Sequence, residues 1–258
     1  MSGTRRPLPA TTAGSPVRGA SRRQATSTDE PEREGSAGAA QLGVQALLVD
    51  FNGTLSQDEE IQFEIYADLC GEHGLPLARD HYLEQLVGRS DRELLSELLG
   101  SRADVGALLA ERVRRYRVRT ADGSTIAMQA REAIAFAARH VPVAVVTSGF
   151  REEVTPVLRA AGVDTALSAV VCADDVTHEK PSPEGYRLAC TLLGVEPGHG
   201  LAVEDTDSGI AAARAAGLRC VAVTTTLPVE RLGGAHEVID ELTVEQVARL
   251  LGVGAERT

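Results

Sequence analysis

From residue 128 to residue 251, short apolar runs alternate with helical patterns, and this alternation limits the folds open to the chain. A helical stretch at 128–139 precedes the run Val141–Val146, and one at 151–161 precedes Ala169–Cys172. Helical stretches at 183–193 and 208–216 precede Leu201–Val203 and Cys220–Val223. A weak strand near Val238 and a helix at 243–251 follow. Strands spaced by helices in this way are βαβ units, and they predict a parallel sheet with helices on both faces.

An earlier run, Val44 to Val49, has almost no polar break and suits a strand buried on both sides. It ends on Asp50, and Gly53 then permits a tight turn. Asp50 is therefore placed at the carboxyl edge of a central strand, where open α/β sheets bind their ligands. A carboxylate there serves as nucleophile, metal ligand or both. A strand followed by an ordinary Asx turn fits the same residues. Asn52-Gly53-Thr54 also matches a glycosylation sequon, which is rejected because nothing directs the chain to a secretory route.

Three more polar groups fall at strand ends or just before a helix. Val141–Val146 stops at Thr147-Ser148-Gly149, Leu201–Val203 stops at Glu204-Asp205, and Lys180 precedes Pro181-Ser182-Pro183. A parallel sheet gathers its carboxyl ends at one edge, so Asp50, Thr147, Lys180 and Asp205 converge despite their separation in sequence. Together they offer what phosphoryl transfer needs: an attacking carboxylate, a hydroxyl and an ammonium for phosphate oxygens, and a second carboxylate for Mg²⁺. Lys180 is the only lysine in the chain, although Lys and Arg together number 26. Its retention points to a need for a compact ammonium rather than a planar guanidinium.

Between 58 and 125 only helical patterns occur, at 58–72, 79–87, 91–99 and 104–118. The last holds Arg112, Arg114, Arg115, Arg117 and Arg119, read as a solvated helix face, with a basic rim for anionic substrates as the lesser reading. Residues 1–42 are rich in Ser, Thr, Ala, Gly, Pro and Arg without hydrophobic periodicity, and predict a disordered tail. The net charge of −11 argues against nucleic-acid binding, whose footprint is basic. Cys70, Cys172, Cys190 and Cys220 lack metal-ligand spacing and read as buried free thiols in a reducing cytoplasm. No apolar run is long enough for a membrane span, and no hydrophobic segment follows Arg5-Arg6 as a twin-Arg signal would require.

With these motifs in order, the chain resembles the haloacid dehalogenase-like hydrolase superfamily. They stand as Asp50-Phe51-Asn52-Gly53-Thr54-Leu55, Thr147-Ser148-Gly149, Lys180-Pro181-Ser182-Pro183 and Glu204-Asp205-Thr206-Asp207-Ser208-Gly209-Ile210. Val203 to Leu218 resembles the branch with β-phosphoglucomutase and phosphoglycolate phosphatase. The resemblance covers about residues 44–225. It implies a Rossmann-like core, at 43–57 and 126–254, with an all-helical cap inserted at 58–125.

It also implies roles. Asp50 would be nucleophile and Mg²⁺ ligand, and Asn52 would lend the metal its backbone carbonyl. Thr147, Lys180, Ser148 and Gly149 would bind phosphate, and Asp205 would bind Mg²⁺ with help from Glu204. Arg89 and Arg92 are the guesses for contacts to a second anionic or polar group, with exposed flanking arginines as the alternative. The partner would be a small phosphorylated metabolite.

The departure is Asn52, where most phosphatases and mutases of the family carry an Asp that acts as general acid and base. An amide cannot shuttle that proton. Asp58, His73 and His81 are substitute acids to consider beside their plainer reading as helix caps or surface residues. Hydrolysis of a small phosphate ester through a phospho-Asp50 intermediate is the leading expectation. A sugar phosphomutase, and a weakly active or non-catalytic phosphate-binding protein, are the alternatives. Phosphonoacetaldehyde hydrolysis is excluded because the cap has no lysine, and haloacid dehalogenation is disfavoured because it needs no Mg²⁺ site.

Overall fold

Sheet order places Asp50 at a crevice. In the computed structural model, which describes residues 43–254, the strands run β3-β2-β1-β4-β5-β6 and every pairing is parallel. They are β1 (Ala46–Val49), β2 (Val143–Val146), β3 (Ala169–Val171), β4 (Gly200–Glu204), β5 (Arg219–Val223) and β6 (Glu237–Ile239). The order reverses between β1 and β4, the switch point at which doubly wound sheets bind ligands. The α/β, Rossmann-like class expected from the alternation is the class observed. The tail reading for 1–42 concerns residues outside the described range.

Apolar sequence explains the strands: β1, β2 and β4 are buried along their whole length. β2 begins at Val143 rather than at Val141. Pro142 has no N–H to donate to the ladder, although its carbonyl accepts the Leu47 N–H at 3.1 Å. Val49 pairs with Val145 on one side and Val203 on the other, so Asp50, Val146 and Glu204 fall on the next rung.

Between β1 and β2 the named elements are helical. They are α1 (Glu59–Glu72), α2 (Arg79–His81) running into a π-helical turn at Tyr82–Leu86, α3 (Asp91–Leu99), a 3₁₀ turn at Gly100–Arg102, α4 (Val105–Arg119) and α5 (Met128–Ala138). α3 starts on a capping box, in which Ser90 Oγ accepts from Glu93 N at 3.3 Å and Glu93 accepts from Ser90 N at 3.4 Å. α4 starts on Asp104, whose carboxylate accepts from Gly106 N at 2.8 Å. α1 and α3 both pack on α4. The remaining helices are α6 (Arg151–Ala160), α7 (Glu184–Leu193), α8 (Asp207–Ala216) and α9 (Val244–Leu251). α7 packs against β1, β2 and β3, and α5 against α9.

One expectation for α4 fails. Arg112 is not on a solvated face; it is 3% exposed and paired with Glu153 of α6. The buried positions of α4 are Leu108, Leu109, Arg112, Val113 and Tyr116, one stripe at helical spacing, and Arg112 sits in its middle. Arg114, Arg117 and Arg119 do keep to solvent, paired with Glu111, Glu152 and Glu64. Arg115 is mostly covered between Glu72 and Glu111.

All four cysteines are free and buried. Among the described residues no helix is long and apolar enough to cross a membrane.

Candidate active site

Asp50 leaves β1 into a turn that only glycine can make. Gly53 has φ +74°, and a Cβ there would lie 2.0 Å from Asp205 Oδ2. The turn thereby brings the carboxyl end of β1 against that of β4. Asp50, Glu204 and Asp205 are all buried, and each offers an oxygen within 4.8 Å of the others'.

One ammonium sits among them. Lys180 Nζ donates to Asp50 Oδ1 at 2.5 Å, to Glu204 Oε1 at 2.6 Å and to the Val146 carbonyl at 2.9 Å. It also lies 5.3 Å from the centre of the Tyr186 ring. Glu204 Oε1 accepts from Tyr186 as well, at 2.6 Å. Gly209 gives that carboxylate its room, since a Cβ there would fall 2.0 Å from Glu204 Oε2. Burial pushes the Asp50 carboxyl up to about 7 against the opposing pull of Lys180. Asp205 is also raised, by burial first and then by the charges of Asp50 and Glu204. Burial pulls the Lys180 ammonium down, but Asp50 and Glu204 more than offset it and hold it charged.

Asp205 Oδ1 accepts from Thr54 Oγ1 at 3.1 Å, while Oδ2 is buried with no partner. Three crowded carboxylates, one of them with an orphaned oxygen, form an oxygen-donor set that fits a hard divalent cation.

Thr147 follows β2 directly. Its hydroxyl donates to Asn52 Oδ1 at 3.4 Å and accepts from Gly149 N at 2.9 Å. Asn52 Nδ2 donates to Asp58 Oδ2 at 2.7 Å and to the Tyr116 hydroxyl at 3.3 Å. Tyr116 in turn donates to the same Asp58 oxygen. Asp58 precedes α1 but makes no side-chain cap bond; its carboxylate turns back to Asn52 and to Gly53 N. Burial raises its pKa despite the hydrogen bonds from Tyr116 and Asn52.

A cavity of about 100 Å³ opens over these groups. Asp50, Asn52, Thr147, Ser148, Gly149, Lys180 and Asp205 line it from the sheet edge. Glu59, Gln62, Tyr82, Arg89, Asp91 and Arg112 line it from the helices between β1 and β2. Arg89 stands at an exposed rim, 2.5 Å from Glu97, and Arg92 is exposed and does not line the cavity. Asp58, His73 and His81 do not line it either; the His73 ring bonds the Leu69 carbonyl at 2.9 Å, and His81 is exposed.

Sequence reasoning missed the helical wall. Arg112 Nη1 reaches Glu153, Nη2 reaches Gln62 Oε1, and Nε lies 3.3 Å from Asp91 Oδ2. Its guanidinium is 5.1 Å from the Tyr116 ring centre and 5.9 Å from that of Tyr66. Glu59 Oε1 accepts from the Tyr82 hydroxyl at 2.5 Å, and burial lifts its carboxyl to about 7. The available signal was the stripe on α4, where a charged residue occupies a core position.

Comparison with known proteins identifies the family. The family model described as haloacid dehalogenase-like hydrolase matches residues 47–223. Validoxylamine A 7'-phosphate phosphatase of Streptomyces hygroscopicus subsp. limoneus is 36% identical, over 76% of this chain and 93% of that protein. The crystal structure of CbbY from Rhodobacter sphaeroides in complex with phosphate superimposes with a TM-score of 0.70 at 27% identity, over 77% of this chain and 95% of the other. β-Phosphoglucomutase from Clostridium difficile shares the fold, with a TM-score of 0.71 at 18% identity, over 81% and 97% of the two chains. The chain belongs to the haloacid dehalogenase-like hydrolase family, in its β-phosphoglucomutase- and phosphoglycolate phosphatase-like branch.

Proposed function

We propose that this hydrolase cleaves a small phosphate monoester through an aspartyl-phosphate on Asp50. The observation that carries the reading is the meeting of Asp50, Lys180, Thr147 and Asp205 around one cavity at the sheet's switch point. The Asp50 carboxylate attacks phosphorus, the ester P–O bond breaks, and the alcohol leaves; water then cleaves the acyl phosphate. Lys180, 2.5 Å from Asp50, favours the ionised form of the nucleophile against the effect of burial and meets a phosphoryl oxygen. The Thr147 hydroxyl, with Ser148 and Gly149, holds the others. Asp50, Asp205, Glu204 and the Asn52 carbonyl would hold Mg²⁺, which when bound offsets repulsion between the attacking and transferring anions.

Asn52 sets the limit. Its amide is engaged with Asp58 and Thr147 and has no proton to give the leaving alkoxide. General acid–base catalysis is typically worth about 10²–10⁴-fold, so alkyl esters should turn over more slowly here than aryl esters whose alcohols leave as stable anions. This favours hydrolysis over a mutase, which must protonate and deprotonate sugar hydroxyls. Residues 58–125 act as the cap over a core at 43–57 and 126–254. Four buried free thiols suit a cytoplasmic setting.

The test is turnover of p-nitrophenyl phosphate with Mg²⁺, which Asp50→Ala abolishes while the protein stays folded by circular dichroism. Undiminished turnover in folded Asp50→Ala overturns the reading.

A further inference from the structure

Buried polar atoms without partners are few in folded proteins, and each calls for an explanation. Among the described residues four side-chain atoms qualify: Arg112 Nε, Asp205 Oδ2, Ser208 Oγ and Thr226 Oγ1. Three of the four belong to residues lining the cavity over Asp50. Asp205 Oδ2 belongs with the cation site. Arg112 Nε and Ser208 Oγ remain, one from the helical wall and one from α8; Asp91 Oδ2 lies 3.3 Å from that Nε as an ion-pair partner but outside hydrogen-bond geometry. Arg112 is 3% exposed, so bulk water does not satisfy its Nε.

The charges on the helical wall are equally selective. Arg112 is its one buried cation, already matched by Glu153 and Asp91 and capped by Gln62, so no free positive charge is left there for a second phosphate. Arg89 is held by Glu97 at the exposed rim. Glu59 is different. It faces the cavity and meets only the neutral Tyr82 hydroxyl, and no ion pair engages it among the described residues. Glu59 is half-buried, Arg112 and Arg79 act on it only from a distance, and a ligand cation in direct contact would stabilise its charged form.

We propose that the leaving group is a compact polyhydroxylated amine, with its hydroxyls on Arg112 Nε and Ser208 Oγ and its ammonium on the Glu59 carboxylate. The proposal rests on the phosphatase reading and names the substrate class of that site. It makes monophosphates of amino sugars or amino cyclitols better substrates than their hydroxyl analogues, and sugar bisphosphates poor ones.

The experiment compares kcat/KM for two matched pairs with Mg²⁺ near neutral pH: glucosamine 6-phosphate against glucose 6-phosphate, and galactosamine 1-phosphate against galactose 1-phosphate. In each pair the amine replaces one hydroxyl. The amine member should be favoured about tenfold or more in at least one pair, the scale of a charge-assisted hydrogen bond. In Glu59→Gln that ratio should fall to about one, and a ratio cancels any general loss of rate. Equal rates within both pairs, or a preference that survives Glu59→Gln, overturns the proposal. Turnover of p-nitrophenyl phosphate reports separately on the reaction. If it proceeds while neither pair shows a preference, the specificity alone is wrong; if no phosphate ester is cleaved, both readings fall.

Discussion

The Asn52 amide donates to the Asp58 carboxylate at 2.7 Å, inside a cluster closed by the Tyr116 hydroxyl. An aspartate at position 52 would lose that donor and set two carboxylates against each other in a buried site. Asn52→Asp is therefore expected to destabilise the fold, by about 1–3 kcal/mol, the cost of a buried polar group left without its partner. The two carboxyls would then titrate above their unfolded values, so the loss is small at acid pH and deepens as pH rises through neutrality. Melting temperatures in EDTA at pH 5 and pH 8 measure it; equal losses at both would mean that the new carboxyl escapes Asp58.

Arg112 and Glu153 join α4 to α6 through a buried ion pair. Breaking such a pair from one side leaves an uncompensated charge and costs about 3–5 kcal/mol. Arg112→Met should show a loss of this size in urea unfolding. Burial already lifts Glu153 to about 7, against the pull of Arg112. A carboxyl raised above its unfolded value contributes stability at low pH that is lost as pH rises through the folded pKa. Removing Arg112 raises that pKa further, so the deficit should grow from pH 5 to pH 8. Arg112→Met combined with Glu153→Gln should recover part of it. A double variant no more stable than Arg112→Met would show that packing, not charge, holds the pair.

The uneven legibility of this chain has a physical cause. Asp50, Thr147, Lys180 and Glu204-Asp205 were visible because each ends an apolar run or precedes a helix. A parallel sheet then brings such ends together without any further information. Arg112, Glu153 and the Asn52–Asp58 bond were not visible, because partners 41 residues apart, or a side chain turned back over 6, are chosen by tertiary packing. Local sequence did mark Arg112, between Leu108 and Tyr116 on the buried stripe of α4, but its charge argued for solvent and the pairing with Glu153 decided otherwise.

Lys180 fills a space shaped for an ammonium, with three oxygens within 2.9 Å of Nζ and 12% of its side chain exposed. A guanidinium is planar and longer, and it cannot donate to Asp50, Glu204 and the Val146 carbonyl from one atom. Lys180→Arg keeps the charge and should still lower kcat by roughly 10²-fold, the scale of losing one preorganised donor. Wild-type kcat in this variant would show that charge alone suffices at this position.

Asp50 tests whether the site sacrifices stability for chemistry. Three carboxylates share one ammonium there, and burial pushes Asp50 up to about 7. A carboxyl raised in this way contributes stability at acid pH that is lost as pH rises from its unfolded value, near 3.8, through about 7. Asp50→Asn removes one negative charge from the cluster and keeps an oxygen facing Lys180. In EDTA the variant should melt at or above the wild-type temperature at pH 8, and the two proteins should converge toward pH 5. Mg²⁺ should reverse the order. At about one hundred times its Kd a ligand stabilises the native state by about 2.7 kcal/mol, and the variant has lost one of the carboxylates that would hold the ion. Calorimetry of both proteins, with EDTA and with Mg²⁺, reads the four values. A variant that melts well below wild type in EDTA at pH 8 would show that the Asp50–Lys180 pair outweighs the crowding of Asp50 against Glu204 and Asp205. The nucleophile would then be a stabilising member of the fold rather than a strained one.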